Sequence, residues 1–314
     1  MKKYYTRACN FFYGSTSKKL IKKKLSLPLC GDDSISFNQI EIFTREKKKV
    51  NSKIIDIKKI RKLSPVIKKK ILKDLNKITE KRELLRKKKH ILMGILNLTP
   101  DSFSDGGKFN SLKKANQRIK VISEAGADII DIGGESTRPG SKIISPKNEL
   151  RRVKDVITKF KNKFPKSLLS VDTRKSLVMN FSLKHNADII NDVSCFKYDQ
   201  KSFDIVKNKN IWKIIHHMQG TPQTMQNNPK YNYVLLDIYD FFEKNIEKFK
   251  KLKYKKKIIL DPGIGFGKNL KHNLIILNKI SLFHSLGFPI LIGTSRKRFI
   301  NQISGKYDTK ERIG

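Results

Sequence analysis

From His90 onward, short apolar runs alternate with longer amphipathic stretches. The runs are ILMGIL (91–96), DIIDIG (128–133), SLLSVD (167–172), ADIIND (187–192), IWKIIH (211–216), KIILDP (257–262) and PILIGT (289–294). Residues 112–125 and 234–252 between them carry helical spacing. Near-continuous apolar strands alternating with helices predict a parallel α/β sheet, buried on both faces. Seven β/α units are expected. The first ninety residues read differently. Residues 34–43 alternate as a strand does, and Ile67, Ile71, Leu72, Leu75 and Ile78 predict one amphipathic helix over 65–86.

Each apolar run ends in polar or glycine-rich residues, such as GGESTRPGS, VDTRKS, HHMQGTP and GTSRKR. In a (β/α) barrel the working face lies at the C-terminal ends of the strands. Seven chemically loaded strand tips favour a barrel over an open doubly wound sheet, which loads fewer loops at one switch point. The expected organisation is a basic extension or small appendage over 1–89 and a barrel over 90–314.

Charge changes the picture only at the N-terminus. The 314 residues carry a formal charge of +41. Residues 1–90 hold 28 Lys and Arg against 8 Asp and Glu, and residues 91–314 hold 41 against 20. Only 13 of the 69 cations are arginine, the residue that recognises bases and phosphates in a bidentate way. Specific nucleic-acid binding is therefore not expected, and the lysine runs read as solvated faces with weak, salt-sensitive polyanion affinity. The three cysteines, Cys9, Cys30 and Cys195, are far apart. That spacing excludes a disulfide framework and a cysteine-rich metal site, and fits a reducing cytoplasm. No apolar stretch is long enough to cross a membrane, and the N-terminus lacks the apolar stretch of a signal peptide.

Asp172, Asn191 and Asp261 each close an apolar strand. Polar groups there are costly unless they meet a partner, and together they would make a donor and acceptor set for a flat polar heterocycle. For Asp172, capping of the following helix is an equal alternative. The SRKR run (295–298) suits a phosphate or a ring carbonyl at a helix start, or else a solvated surface. Loops 99–107 and 134–141 have the small residues of mobile lids. IGFGK (264–268) lacks the spacing of a nucleotide loop, which argues against an ATPase or a dehydrogenase. His216 and His217 are adjacent and face opposite ways on a strand, so zinc is not expected. Mg²⁺ shared with a substrate phosphate could use Asn97 and Asp105.

Several strings are long enough to carry a family resemblance. MGILNLTPDSFSDGGKF (93–109), DIIDIGGESTRPGS (128–141), SVDT (170–173), IINDVS (189–194), HMQGTPQTMQ (217–226), LDPGIGFGKN (260–269) and IGTSRK (292–297) closely resemble the dihydropteroate synthase family, in order, across nearly all of 91–298. The resemblance implies a pterin-binding (β/α)8 TIM barrel and a transferase of folate biosynthesis. Such enzymes condense 6-hydroxymethyl-7,8-dihydropterin diphosphate with 4-aminobenzoate, give 7,8-dihydropteroate and pyrophosphate, and are sulfonamide targets. It further implies that Asp261 grips the amino-pyrimidine edge, with Asn191 and Asp172 on the same ring and Lys297 at a ring acceptor. Gly265, Phe266 and Met218 would form the apolar slot. Asn97 would ligate Mg²⁺ on the diphosphate, helped by Asp105. Thr137 and Arg138 would meet the substrates, with Pro139 and Phe103 near the aminobenzoate. Asp105, Arg138 and Lys297 are the residues expected closest to the chemistry.

The chain departs from the family pattern at its end. The family continues into an eighth strand with an Arg-x-His pair and pairs as a homodimer through its last helices. The expectation is a barrel with about seven units and unpaired edges on its first and seventh strands, poorly stable or weakly active alone. Two alternatives stay open: a pterin-barrel methyltransferase acting on methyltetrahydrofolate, and an inactive fragment with non-specific polyanion binding. The first would not be expected to carry both NLTPDSFSDGG and GTSRK.

Overall fold

The structure, a computed structural model, describes residues 2–82, 85, 88, 90–99, 108–136 and 141–305. Its first part is a meander of β1 (Lys2–Tyr13), α1 (Gly14–Lys22), β2 (Leu27–Leu29), β3 (Asp32–Glu46), β4 (Lys49–Asp56), a 3-10 turn (Ile57–Lys62) and α2 (Pro65–Thr79). The long β3 is the hub. It pairs antiparallel with β1 along one edge, and shares its other edge between β2 and β4.

Strand alternation gives this sheet two buried faces. On one, Ala8, Ile40 and Ile42 pack with Ile71, Leu75 and Ile78 of α2, and Thr6 Oγ1 donates to the buried Asp74 of α2 at 2.7 Å. On the other, Tyr5 and Phe43, partners in the β1–β3 register, join the core of the larger part of the chain. The expected alternation over 34–43 is thus observed. The helix expected over 65–86 ends at Thr79, where Glu80 turns extended (φ −62°, ψ 134°). Beyond it Arg82 leaves the helical path and donates to the carbonyls of His284, at 2.9 Å, and Phe288. These bonds satisfy two carbonyls and hold the chain as it approaches the barrel.

Residues 93–97 begin the second sheet. β5 (Met93–Asn97), β6 (Ile129–Gly133), β7 (Leu168–Asp172), β8 (Ile189–Asp192), β9 (Trp212–His216) and β10 (Ile258–Asp261) lie parallel in sequence order. Between and after them run α3 (Lys108–Glu124), α4 (Pro146–Lys163), α5 (Ser176–Lys184), α6 (Ser202–Val206), α7 (Val234–Glu247), α8 (Leu270–Asn278), a 3-10 turn (Ile280–Leu286) and α9 (Arg298–Ser304). α7 stops at Glu247, short of the expected 252. Six of the seven expected strands form. The seventh run, 289–294, is reduced to one parallel bridge, Leu260 to Ile290, framed by Leu260 N–H to Pro289 O and Leu291 N–H to Leu260 O, both at 2.9 Å. Pro289 has no N–H to extend the ladder.

The parallel sheet wraps round an interior of its own. Ile129, Ile189, Trp212, Ile214 and Ile259 form one cluster, with Met93, Leu168 and Leu291 packed against it. Side chains of β5 and β10, the two ends of the sheet, share that cluster, as in a barrel whose interior is filled by strand residues. A second, larger core lies between the strands and the helices outside them. Among the described residues nothing pairs with the outer edge of β5, where Ile95 is 64% exposed.

The N-terminal sheet rests on α7 and the 280–286 turn. Lys3 Nζ bridges Asp240 and Glu243 at 2.6 Å each, and Arg45 reaches Asp237 and Asp240. Glu41 takes Arg7 and Lys279, both at 2.7 Å. Its carboxyl is held below the usual range because these hydrogen-bonded cations outweigh the effect of burial, which acts first and upward.

Candidate active site at the strand tips

The sheet register assembles the tip residues. Asn97, Gly133, Asp172 and Asn191 lie side by side on β5, β6, β7 and β8. Asn191 pairs with Ile214 of β9, and two residues further along His216 pairs with Asp261 of β10. A Cβ built on Gly133 would meet Asp172 Cβ at 3.4 Å, and Asn97 Oδ1 and Asp172 Oδ2 at 3.5 Å each. The glycine therefore lets an amide and a carboxylate oxygen flank one spot.

Asp131, two residues before Gly133 on the same strand face, also joins the site. Asn191 Nδ2 donates to Asp131 Oδ2 at 3.0 Å. Asp131 Oδ1 and Asn191 Oδ1 are buried without a hydrogen-bond partner. Burial pushes the Asp131 carboxyl up, and Asp261 adds to the shift. Asp172 is raised well above the carboxylate range by burial first, then by its neighbours Asp131, Glu149, Asp192 and Glu135. It does not cap α5, whose N-cap residue is Lys175 with no side-chain bond. The capping alternative is thereby removed. Asp192 is a turn-former: it accepts from Ser194 N–H, Ser194 Oγ and Phe196 N–H at 2.7–3.0 Å.

The loops after β9 and β10 interlock. Asp261 Oδ1 takes the Gly263 N–H at 2.7 Å. Gly263 has φ +66°, and a Cβ there would sit 2.0 Å from His217 O. Lys268 is buried, and its Nζ lies within hydrogen-bond range of Phe266 O at 2.8 Å, His217 Nδ1 at 3.1 Å and His217 O at 3.3 Å. Burial, aided by Lys297, pulls its pKa down to about 7 although Asp261 opposes. Above this base the Phe266 ring stands edge-on to His216 at 4.7 Å, and Lys297 Nζ sits 4.2 Å from the Phe266 ring centre. Burial also lowers the Lys297 pKa, against the pull of Asp261. The Lys297 chain lies 3.2 Å from the Cβ that Gly265 lacks. Met218 is half-buried directly after the His pair.

Gly263→Ala is expected to cost about 2–4 kcal/mol, through both the strained φ and the carbonyl clash. Gly14→Ala, with a similar φ of +57° and open space, is the comparison and should cost only about 1–2 kcal/mol. Melting curves of the two variants test this, and equal losses would contradict it.

A buried ionic group supports the second loop. Glu135 accepts from Arg174 Nε at 2.8 Å and Lys175 Nζ at 2.9 Å, and Lys175 also reaches Glu149 at 2.6 Å. The Arg174 guanidinium stacks 4.0 Å from the Tyr198 ring centre. Sequence reading took Glu135 as loop and the Arg-Lys pair as polar tip, so this clamp between two strand tips was missed. A cavity of about 690 Å³ opens beside His217, lined by Gln219, Tyr231, Asn232, Asn269 and His272 among others; none of the tip residues Asp172, Asn191 or Asp261 lines it.

The structure thus brings together Asn97, Asp172, Asn191, Asp261, Gly265, Phe266 and Lys297. Phe103, Asp105, Thr137, Arg138 and Pro139 lie outside the described residues. Among the described residues no three His, Cys, Asp or Glu side chains converge as metal ligands. No helix among them is long and apolar enough to cross a membrane.

The family described as pterin binding enzyme matches residues 93–313. The dihydropteroate synthase of Synechocystis sp. is 40% identical over 227 residues, 72% of this chain and 78% of that protein. The Escherichia coli K12 dihydropteroate synthase is 43% identical over 213 residues, 68% of this chain and 75% of its own length. Among solved structures, the Yersinia pestis dihydropteroate synthase with a sulfonamide drug complex superposes with a TM-score of 0.65 at 41% identity, covering 71% of this chain and 80% of that one. The Xanthomonas albilineans dihydropteroate synthase in complex with 7,8-dihydropteroate gives 0.62 at 33% identity, covering 71% and 79%.

Proposed function

We propose, for a chain that belongs to the pterin-binding enzyme family and within it to the dihydropteroate synthases, that the strand tips join 6-hydroxymethyl-7,8-dihydropterin diphosphate to 4-aminobenzoate. The observation that carries this reading is the set of acceptors around Asp261, Asn191 and Asp131, two of them buried and unpartnered. A pterin brings adjacent N–H and NH₂ donors on one edge. Asp261 accepts from that edge, with Asn191 and Asp172 beside it. Lys297 donates to a ring acceptor from above the Phe266 face. Gly265, Phe266 and Met218 make the apolar walls.

Asn97 Oδ1, at the open spot over Gly133, offers an oxygen donor that suits Mg²⁺, a cation otherwise completed by substrate oxygens and water. When bound, Mg²⁺ neutralises charge on the leaving diphosphate. Asp105 is assigned to the same cation, and Thr137, Arg138, Pro139 and Phe103 to the substrates, on the family resemblance.

In the reaction the methylene C–O bond to diphosphate breaks and a C–N bond to the aminobenzoate nitrogen forms. The pyrophosphate leaves with its electron pair, and the nitrogen sheds one proton. The electron-rich ring stabilises positive charge at the methylene, so the protein's work is to position, to hold leaving-group charge and to exclude water. The aromatic amine is nucleophilic at neutral pH, so no strong general base is required. Product formation should stop on chelation, resume with added Mg²⁺, and be inhibited by a sulfonamide competitively against aminobenzoate. Turnover indifferent to chelation would contradict the cation assignment.

A further inference from the structure

His216 is the one imidazole inside the acceptor set, and its placement is over-determined. It is the last residue of β9, in register with Asp261, and is 3% exposed. Its Nδ1 lies 3.3 Å from the Val193 carbonyl. A carbonyl can only accept, so the proton sits on Nδ1 and Nε2 keeps its lone pair. The ring cannot turn freely, because Phe266 stands edge-on at 4.7 Å and the Gly263 backbone crowds it from below. A Cβ on Gly263 would lie 3.1 Å from both Cε1 and Nε2.

Nε2 faces Asp261 Oδ2 at 3.9 Å, beyond hydrogen-bond range. The imidazole is held neutral: burial lowers its pKa to about 4, Lys268 and Lys297 add to that, and the opposing Asp261 does not restore it. Two acceptors therefore face each other with no hydrogen bond joining them. A ligand's N–H placed there would give both acceptors a partner. The ammonium groups of Lys268 and Lys297 near Asp261 disfavour a metal cation in that space. They favour a neutral N–H donor.

We propose that His216 is a further pterin-recognition residue, its Nε2 accepting a hydrogen bond from the amino-pyrimidine edge beside Asp261. This deepens the synthase reading and rests on it. With Asp261 Oδ2, Nε2 sets a preference for a ring bearing an exocyclic amino group over one bearing an oxo group there, since a second acceptor would face two acceptors.

The test uses the full 314-residue chain, titrated calorimetrically with 6-hydroxymethyl-7,8-dihydropterin diphosphate and Mg²⁺, and with the corresponding 2-oxo pteridine. His216→Met keeps bulk against Phe266 and removes the acceptor; His216→Gln restores a polar terminus. The expected result is about tenfold weaker pterin binding for His216→Met and a loss within about threefold for His216→Gln. The preference for the 2-amino ring should collapse in His216→Met alone, with the KM for aminobenzoate little changed. Wild-type affinity in His216→Met overturns the proposal. Equal weakening in both variants, with the ring preference intact, shows packing alone and also overturns it. A wild-type chain that binds no pterin overturns the synthase reading itself, before either variant is compared.

Discussion

Asp261→Asn is expected to weaken pterin binding by about 10²–10³-fold while leaving the melting temperature nearly unchanged. The carboxylate closes β10, and its two oxygens do different work. Oδ1 takes the Gly263 N–H at 2.7 Å, which an asparagine oxygen also does. Oδ2 faces the site beside His216, and there asparagine puts an NH₂ group. A donor would then confront the donor edge of the ring, and a charge-assisted hydrogen bond would be lost. Losing such a bond and leaving a buried group unpaired costs about 3–4 kcal/mol, which is that fold-change in affinity. Calorimetric titration with the pterin diphosphate measures it. An affinity within threefold of wild type would remove Asp261 from the recognition edge.

Tyr5→Ala is expected to destabilise the barrel, although Tyr5 lies in the N-terminal sheet. Its ring is fully buried and meets Tyr239 of α7 edge-on at 5.1 Å and 87°. Its hydroxyl donates to the Asp240 carboxylate, at 3.0 and 3.1 Å from the two oxygens, beside Lys3 and Arg45. Truncation empties a large space and removes a donor from that carboxylate, at about 3–5 kcal/mol. The only tryptophan, Trp212, lies in the barrel interior on β9, so its fluorescence reports the barrel and not the sheet. We propose that the two parts unfold together, so that the Trp212 transition shifts to lower denaturant by the same amount as the loss of far-ultraviolet ellipticity. An unshifted Trp212 transition would make residues 2–82 an independent appendage.

Much of the site was legible because strand tips are chemically marked. Asp172, Asn191 and Asp261 each end an apolar run, and a parallel sheet in sequence order brings such ends to one side. Asp131 was missed because it sits in the middle of its run, IIDIG. Counting in twos along the strand from Gly133 puts it on the inward face, a signal present in the sequence. His216 closes its apolar run in the sequence, but its value depends on Val193 and Gly263, which only the folded register brings to it. The role of the N-terminal sheet was not legible for a physical reason. Its polar partners Asp237, Asp240 and Lys279 lie some two hundred residues away, and no local pattern encodes such pairing. The run 289–294 illustrates the limit of pattern reading: it has a strand's composition, but Pro289 and one bridge are all its neighbours support.

The most direct test of the account is pyrophosphate release by the purified chain, given the pterin diphosphate and Mg²⁺, with and without 4-aminobenzoate. The account predicts release that requires aminobenzoate, matched mole for mole by dihydropteroate and abolished in Asp261→Asn. A folded chain that binds pterin diphosphate yet releases pyrophosphate no faster with aminobenzoate than without it would contradict the account.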